Sequence, residues 1–170
     1  MITKALVARM VKEVGAMRAD GACWDAGLDL HPSILEFVKK APPLALREVT
    51  DALVQGCAPS VLELDWDSGA IGANGTESIR KLGGQYWHYS DHSEYVSEPY
   101  GSLRKALVGA EFNVNGATER VRTRELTSEQ LAAALPVLED TPVGHVVRLN
   151  RQAWMVGADL ALTRKHTTKH

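Results

Sequence analysis

The first third of the chain has the hydrophobic spacing of amphipathic helices. Apolar side chains recur every three or four residues over 2–17, which places them on one face of a helix. The residues on that face are Leu6, Met10, Val14 and Met17. Similar spacing predicts a second helix over 33–40 and a third over 44–55, and Pro42-Pro43 separates the two because proline disfavours a continuing helix.

Beyond residue 60 the pattern changes to the alternation of β-strands. Residues 61–66 alternate between apolar and polar side chains, which is typical of a half-buried strand. Asn115-Gly116 is a strong signal for a hairpin turn between the strand-like segments on either side of it. The predicted strands cover residues 61–66, 85–89, 111–114, 119–124, 145–149 and 153–156.

Two further helices are predicted among these strands. Thr127 and Gln130 have the spacing of a capping box, so they open a helix that is predicted to run to about Leu138. A short helix is also predicted over 77–82. The remaining segments are a glycine-rich loop over 67–76, a polar loop over 90–101 and a helix or strand over 103–108.

This order of elements places the chain in the α+β class, as a helical N-terminal part packed on an antiparallel β-sheet. The 170 residues are enough for one domain with its own core, which we assign to residues 1–162. Residues 163–170 are basic and polar and are predicted to form a flexible tail.

Composition and charge exclude several classes of function. The net charge of -2 gives no bulk attraction to nucleic acid or to an anionic membrane. No apolar run approaches the roughly 20 residues that a membrane-spanning helix needs. Two cysteines, Cys23 and Cys57, are typical of a reducing compartment, so we expect the cytoplasm, or the cytoplasm of a host cell.

The candidate chemistry centres on a thiol, an imidazole and a carboxylate. A turn at Asp20-Gly21 delivers Cys23, and His145 and Asp159 follow far downstream in the strand-rich half. A cysteine nucleophile needs a histidine within hydrogen-bond reach and a third group that orients the imidazole. We therefore expect a catalytic site between the two halves of the chain, with Trp154 shielding the His–Asp hydrogen bond.

The chain resembles papain-like cysteine peptidases, viral leader-type members especially, in two active-site segments. These are the stretch Gly21-Ala22-Cys23-Trp24 and the downstream order of His145, Trp154 and Asp159. Asp20-Gly21-Ala22-Cys23 is also similar to the Asp-Gly-x-Cys turn of OTU-type deubiquitinases. The resemblance implies a papain-like fold, a viral or bacterial cysteine hydrolase without a cofactor or a metal, and a protein or peptide substrate cleaved at a peptide or isopeptide bond. The residues implied to bind substrate or to form the oxyanion hole are Asp20, Ala22, Trp24 and Trp154.

The chain departs from the family pattern before and after the cysteine. Residues 14–22 contain neither the Gln nor the Asn that the family uses in its oxyanion hole, so backbone N–H groups of Ala22 and Cys23 would have to serve. Asp25 opposes thiolate formation. The alternative interpretation is structural, with Cys23 as a small buried side chain and His145 as a hydrogen-bonded strand histidine.

Residues 85–100 suggest two other functions. Their tyrosines and Trp87 could form a recognition surface of a non-catalytic protein-binding or inhibitor module from a phage or a bacterium. His88 and His92 are four residues apart, the spacing of a zinc site on a helix, although the aromatic run favours a strand. An OTU-like site would instead use His88 as the base beside Cys23.

Overall fold

The computed structural model describes residues 1–19, 33–68, 73–112, 120–124, 126–149, 152–157 and 159–165. Within these residues the chain has a mixed α+β fold of five helices and one large antiparallel sheet. The helices are α1 (Lys4–Ala19), α2 (Ile34–Lys40), α3 (Pro43–Cys57), α4 (Leu103–Gly109) and α5 (Ser128–Ala134). The strands are β1 (Ser60–Ser68), β2 (Ala73–Leu82), β3 (Gln85–Ser90), β4 (Tyr95–Val96), β5 (Arg120–Arg124), β6 (Val137–Thr141), β7 (Gly144–Leu149), β8 (Gln152–Gly157) and β9 (Ala161–Arg164).

The nine strands form a single sheet in the order β4-β3-β2-β1-β5-β9-β8-β7-β6. Every pairing in it is antiparallel. Two series of hairpins, β1 to β4 and β6 to β9, are joined in the centre by β5, which pairs with both β1 and β9. Strand residues alternate between the two faces, and in this sheet both faces carry a cluster of buried apolar side chains.

The three N-terminal helices cover one face of the sheet at its β2 to β4 end. Their inward residues pack with Leu82 of β2, Trp87 of β3 and Val96 of β4 in one apolar cluster. The buried helical members of this cluster are Leu6, Val7, Met10, Val11, Val14, Val38, Leu46, Leu53, Val54 and Cys57. The predicted helical N-terminal part and its packing on an antiparallel sheet are therefore confirmed.

The opposite face has a second apolar cluster, which α4 and α5 cover. Ala106 and Leu107 of α4 and Leu131 of α5 pack there with side chains from both halves of the sheet. The buried strand residues of this cluster are Leu62, Leu64, Trp66, Ile79, Val147, Leu149, Trp154, Val156 and Leu162. No helix within the described ranges is long and apolar enough to cross a membrane.

The short helix predicted over 77–82 is wrong, because these residues belong to β2. β2 and β3 form a hairpin in which Leu82 pairs with Gln85 across the turn Gly83-Gly84. Both glycines have positive φ angles, 64° and 70°, which a two-residue hairpin turn requires and which other residues adopt only with strain. The Gly83 N–H also donates a hydrogen bond of 2.7 Å to Glu13, so the turn is attached to α1.

The structure also corrects the predicted hairpin around Asn115-Gly116. Its second strand is present as β5, but β5 pairs with β1 and β9 on its two edges. Glu111 and Phe112 are not in a strand, and residues 113–119 lie outside the described residues. The turn signal was local, whereas the pairing of β5 is decided by its distant neighbours.

The capping box of α5 is confirmed, but the helix is shorter than predicted. Thr127 accepts from the Gln130 N–H, and Gln130 accepts from the Thr127 N–H. The helix ends at Ala134 because Pro136 disfavours helical geometry at Leu135, whose ψ is 152°. Leu138 therefore lies on the exposed strand β6 rather than in a helix.

Two other strands fall in segments that were predicted to be unstructured. β4 lies within the predicted loop over 90–101. β9 includes Thr163 and Arg164, the first two residues of the segment assigned to the tail, and residues 166–170 lie outside the described residues. The predicted strands over 61–66, 85–89, 145–149 and 153–156 are confirmed as parts of β1, β3, β7 and β8.

We predict that Trp154→Ala lowers the free energy of unfolding by about 3–5 kcal/mol, the usual cost of truncating a buried tryptophan. The Trp154 side chain is only 1% exposed, and its indole N–H donates to the Leu149 carbonyl at 3.2 Å. Urea unfolding measures the loss. Val143→Ala is the control, because Val143 is 71% exposed and should change stability little; equal losses in both variants would contradict the packing of Trp154.

Candidate functional site

The structure describes only part of the predicted catalytic triad. Cys23, Asp20, Ala22 and Trp24 lie in residues 20–32, outside the described residues. His145 is the second residue of β7, and its side chain is 39% exposed. The imidazole Nδ1 lies 2.7 Å from a carboxylate oxygen of Asp140, the residue that pairs with His145 across the β6–β7 ladder.

Asp159 has a different hydrogen bond from the one predicted for it. It lies in the turn between β8 and β9, where its carboxylate accepts from the Ala161 N–H at 3.3 Å. The carboxylate that holds His145 is therefore Asp140. The sequence feature that could have identified Asp140 is the tight turn Pro142-Val143. A two-residue hairpin connection at this turn sets Asp140 opposite His145.

A second histidine–carboxylate pair is buried inside the sheet, between β2 and β3. His88 Nε2 lies 2.6 Å from one oxygen of Glu77, and the Ser90 hydroxyl donates to the other oxygen at 3.0 Å. The side chains of His88 and Glu77 are 3% and 0% exposed. A carboxylate in this position fixes the orientation of the imidazole, as it does in catalytic and metal-binding histidines.

His88 and His92 do not form the helical pair that the zinc hypothesis required. His88 points inward from a strand, whereas His92 lies in an exposed turn with its ring edge-on to Trp66 at 5.5 Å between centroids. No three His, Cys, Asp or Glu side chains in the described part of the chain are grouped so that they could hold a metal ion.

The aromatic residues of 85–100 are divided between the two faces of the sheet by the strand alternation. Trp87 is fully buried under the N-terminal helices, and Tyr89 shares that face beneath the guanidinium of Arg80, 4.3 Å from the ring centroid. Tyr95 and Tyr100 instead border a cavity with His88. The aromatic residues that were predicted to form one recognition surface are therefore divided between the two faces, with Tyr95 and Tyr100 at this cavity.

The cavity has a volume of about 400 Å³ and is lined by His88, Tyr95, Tyr100, Gly109 and Glu111. The His88 ring forms part of its wall and packs edge-on against Phe112 at 5.0 Å and Tyr95 at 5.8 Å. This volume lies in the range of small-ligand pockets. Its wall combines aromatic rings with one exposed carboxylate, Glu111.

Backbone pairing along β3 positions the cavity wall. Tyr86 and Tyr100 exchange two backbone hydrogen bonds of 2.9 and 2.8 Å. The Ser97 hydroxyl accepts from the His88 N–H at 2.9 Å and donates to the Glu98 carbonyl at 2.8 Å. Both tyrosines of the cavity therefore belong to a segment that is hydrogen-bonded to the strand carrying His88.

The pKa of the Tyr100 phenol is raised from its ordinary value. Burial is the largest cause that raises the pKa of Tyr100, and the neighbouring Tyr95 and Glu111 raise it further. The phenol therefore stays neutral at physiological pH, as an aromatic wall with a hydroxyl group. A Cβ at Gly109 would lie 2.9 Å from the Tyr100 ring, so glycine allows α4 to approach the ring.

A smaller cavity of about 300 Å³ lies on the other face of the sheet and has a different character. It is lined by Glu63, Thr76, Ser78, Arg80, Tyr89 and Asp91. Arg80 donates to the carbonyls of Val54 and Gln55 at 3.0 and 2.6 Å, which attaches β2 to the end of α3. Desolvation lowers the pKa of Arg80. We interpret this guanidinium as a structural link between helix and sheet.

No family model, no curated protein and no solved structure matches this chain.

We predict that the buried pair Glu77–His88 contributes more to stability than the exposed pair Asp140–His145, although the two have the same chemistry. Glu77→Ala should cost about 1–3 kcal/mol, because it leaves His88 buried without its acceptor. Urea unfolding of single and double alanine variants gives the coupling energy of each pair.

For Glu77 and His88 we expect a coupling of about 0.5–3 kcal/mol. For Asp140 and His145, whose side chains are 77% and 39% exposed, we expect about 0–1 kcal/mol. Equal coupling energies in the two pairs would show that burial does not distinguish them.

Proposed function

We propose that the protein is a protein-binding module whose recognition surface surrounds the cavity at His88. The observation that supports this proposal is the cavity itself, which is bordered by an exposed tyrosine and has a buried, oriented imidazole in its wall. Tyr95 is 52% exposed, and Val108, next to the cavity residue Gly109, is 53% exposed. Tyrosine is enriched among residues that dominate binding energy, especially beside a pocket that a partner side chain can fill.

Peptides that bind the immobilised protein can be selected from a displayed random library. We predict that these peptides bind the Tyr95→Ser variant at least tenfold more weakly than the wild type. Removal of the ring takes away the largest exposed contact beside the cavity. Dissociation constants of the selected peptides, measured by fluorescence anisotropy, test this expectation.

The matched control is Phe37→Ser, because Phe37 is 50% exposed on α2, against the opposite face of the sheet. This variant should bind the selected peptides with unchanged affinity. Peptides that lose affinity for Phe37→Ser and keep it for Tyr95→Ser would place recognition elsewhere and contradict the proposal.

The second candidate function is a cysteine hydrolase of papain-like architecture with Cys23 as the nucleophile. It is favoured by one observation, the hydrogen bond of 2.7 Å that holds the half-exposed imidazole of His145. In this proposal His145 is the general base and Asp140 takes the orienting role first assigned to Asp159. The substrate would be a protein or peptide, and a reducing cytoplasm would keep the thiol active.

If the hydrolase proposal is right, Cys23 reacts with iodoacetamide at about pH 6, where an ordinary thiol with a pKa of about 8.5 is almost unreactive. Mass spectrometry of the alkylated protein measures the rate separately for Cys23 and for the buried Cys57. His145→Gln should abolish the reaction at pH 6, and Asp140→Asn should reduce it.

Asp159→Asn is the matched control for Asp140→Asn and should leave the reaction unchanged. A Cys23 that reacts only above about pH 8, with the same profile in His145→Gln, would exclude the thiolate–imidazole pair.

A further inference from the structure

We infer that the cavity at His88 binds a cationic side chain, a lysine or an arginine, that a partner protein inserts into it. This inference rests on the proposed protein-binding function and specifies the chemistry of its anchor. The cavity wall has three aromatic rings, those of His88, Tyr95 and Tyr100, and Tyr95 packs edge-on against the imidazole. The negative faces of the two tyrosine rings attract ammonium and guanidinium groups.

The charges around the cavity favour a cation. Among the described residues that line the cavity, Glu111 is the only carboxylate, and none is a lysine or an arginine. Burial raises the pKa of Tyr100, and Tyr95 and Glu111 raise it further, so the phenol stays protonated and its ring attracts a cation through its face alone. An anionic ligand would meet Glu111 without a lysine or arginine in the wall to compensate it.

Other aromatic rings of this sheet already have a cation from the same chain. Arg80 lies over Tyr89 at 4.3 Å, Lys81 over Tyr86 at 5.5 Å, and Arg164 over Trp154 at 5.4 Å.

Tyr95 and Tyr100 have no such partner among the described residues, and both border the cavity at His88. Among the described residues, no internal cation takes the position over these two rings that Arg80, Lys81 and Arg164 take over the others, and we infer that a cation from a partner takes it.

The test uses single-residue probes on the full chain, so that no partner has to be known. N-acetyl-arginine methylamide and N-acetyl-lysine methylamide are titrated into the ¹⁵N-labelled protein. The neutral isostere N-acetyl-citrulline methylamide and the anionic N-acetyl-glutamate methylamide are titrated in parallel. We expect saturable shifts at the amides of Tyr95, Tyr100 and Gly109 with at least one cationic probe, and at least tenfold weaker binding of both other probes.

Two variants link the binding to the cavity. Glu111→Gln should weaken binding of the cationic probe by about threefold to fivefold, the size expected for an exposed ion pair. Tyr95→Leu keeps an apolar side chain but removes the ring, and it should weaken binding by a similar factor. Glu94→Gln is the matched control, because Glu94 is an exposed acid beside Tyr95 that does not line the cavity.

Equal binding of citrulline and arginine probes, or preferential binding of the glutamate probe, would overturn the cationic assignment. So would the absence of shifts at the cavity with either cationic probe. These results would not affect the broader protein-binding proposal if the selected peptides still lose affinity for Tyr95→Ser. If the probe titrations and the peptide-binding experiment both fail, the cavity has no role in binding a partner.

Discussion

The structure depends on one constraint, the alternation of side chains along the β2–β3 hairpin, both faces of which are buried. The register places Ile79 beside His88 on one face, while Leu82 and Trp87 face the N-terminal helices. A shift by one residue would exchange these sets and put the polar pair among the apolar helices. The Gly83 turn prevents such a shift, because it fixes Leu82 opposite Gln85 and its N–H is bound by Glu13 of α1.

The sequence predicted elements whose signals are local and missed those that depend on distant partners. The three N-terminal helices and the capping box at Thr127 follow from spacing and capping chemistry within one or two turns. The hairpin turn Gly83-Gly84 is also a local signal, but the helical interpretation of 77–82 hid it. The position of β5 between β1 and β9 has no local signature, because pairing across a sheet is selected by tertiary packing.

The candidate site shows the same limit at the level of single side chains. The sequence identified His145 and His88 as chemically interesting, but the proposed acid for His145 was Asp159 and none was proposed for His88. Asp140 and Glu77 are adjacent to these histidines only across a strand pair, so strand register had to be known first. The register places the Glu77–His88 pair in the interior and the Asp140–His145 pair at the surface.

The two edges of the sheet are both protected against the addition of another strand, but by different means. Beyond β4, Arg47 and Gln55 of α3 donate to backbone carbonyls around Tyr95, so this edge is covered and its backbone is held. At the other edge, β6 has an irregular register around Leu138 and carries two acids, features that discourage the addition of another strand. A tyrosine on a held backbone loses little entropy on binding, which supports the proposal that Tyr95 belongs to a recognition surface.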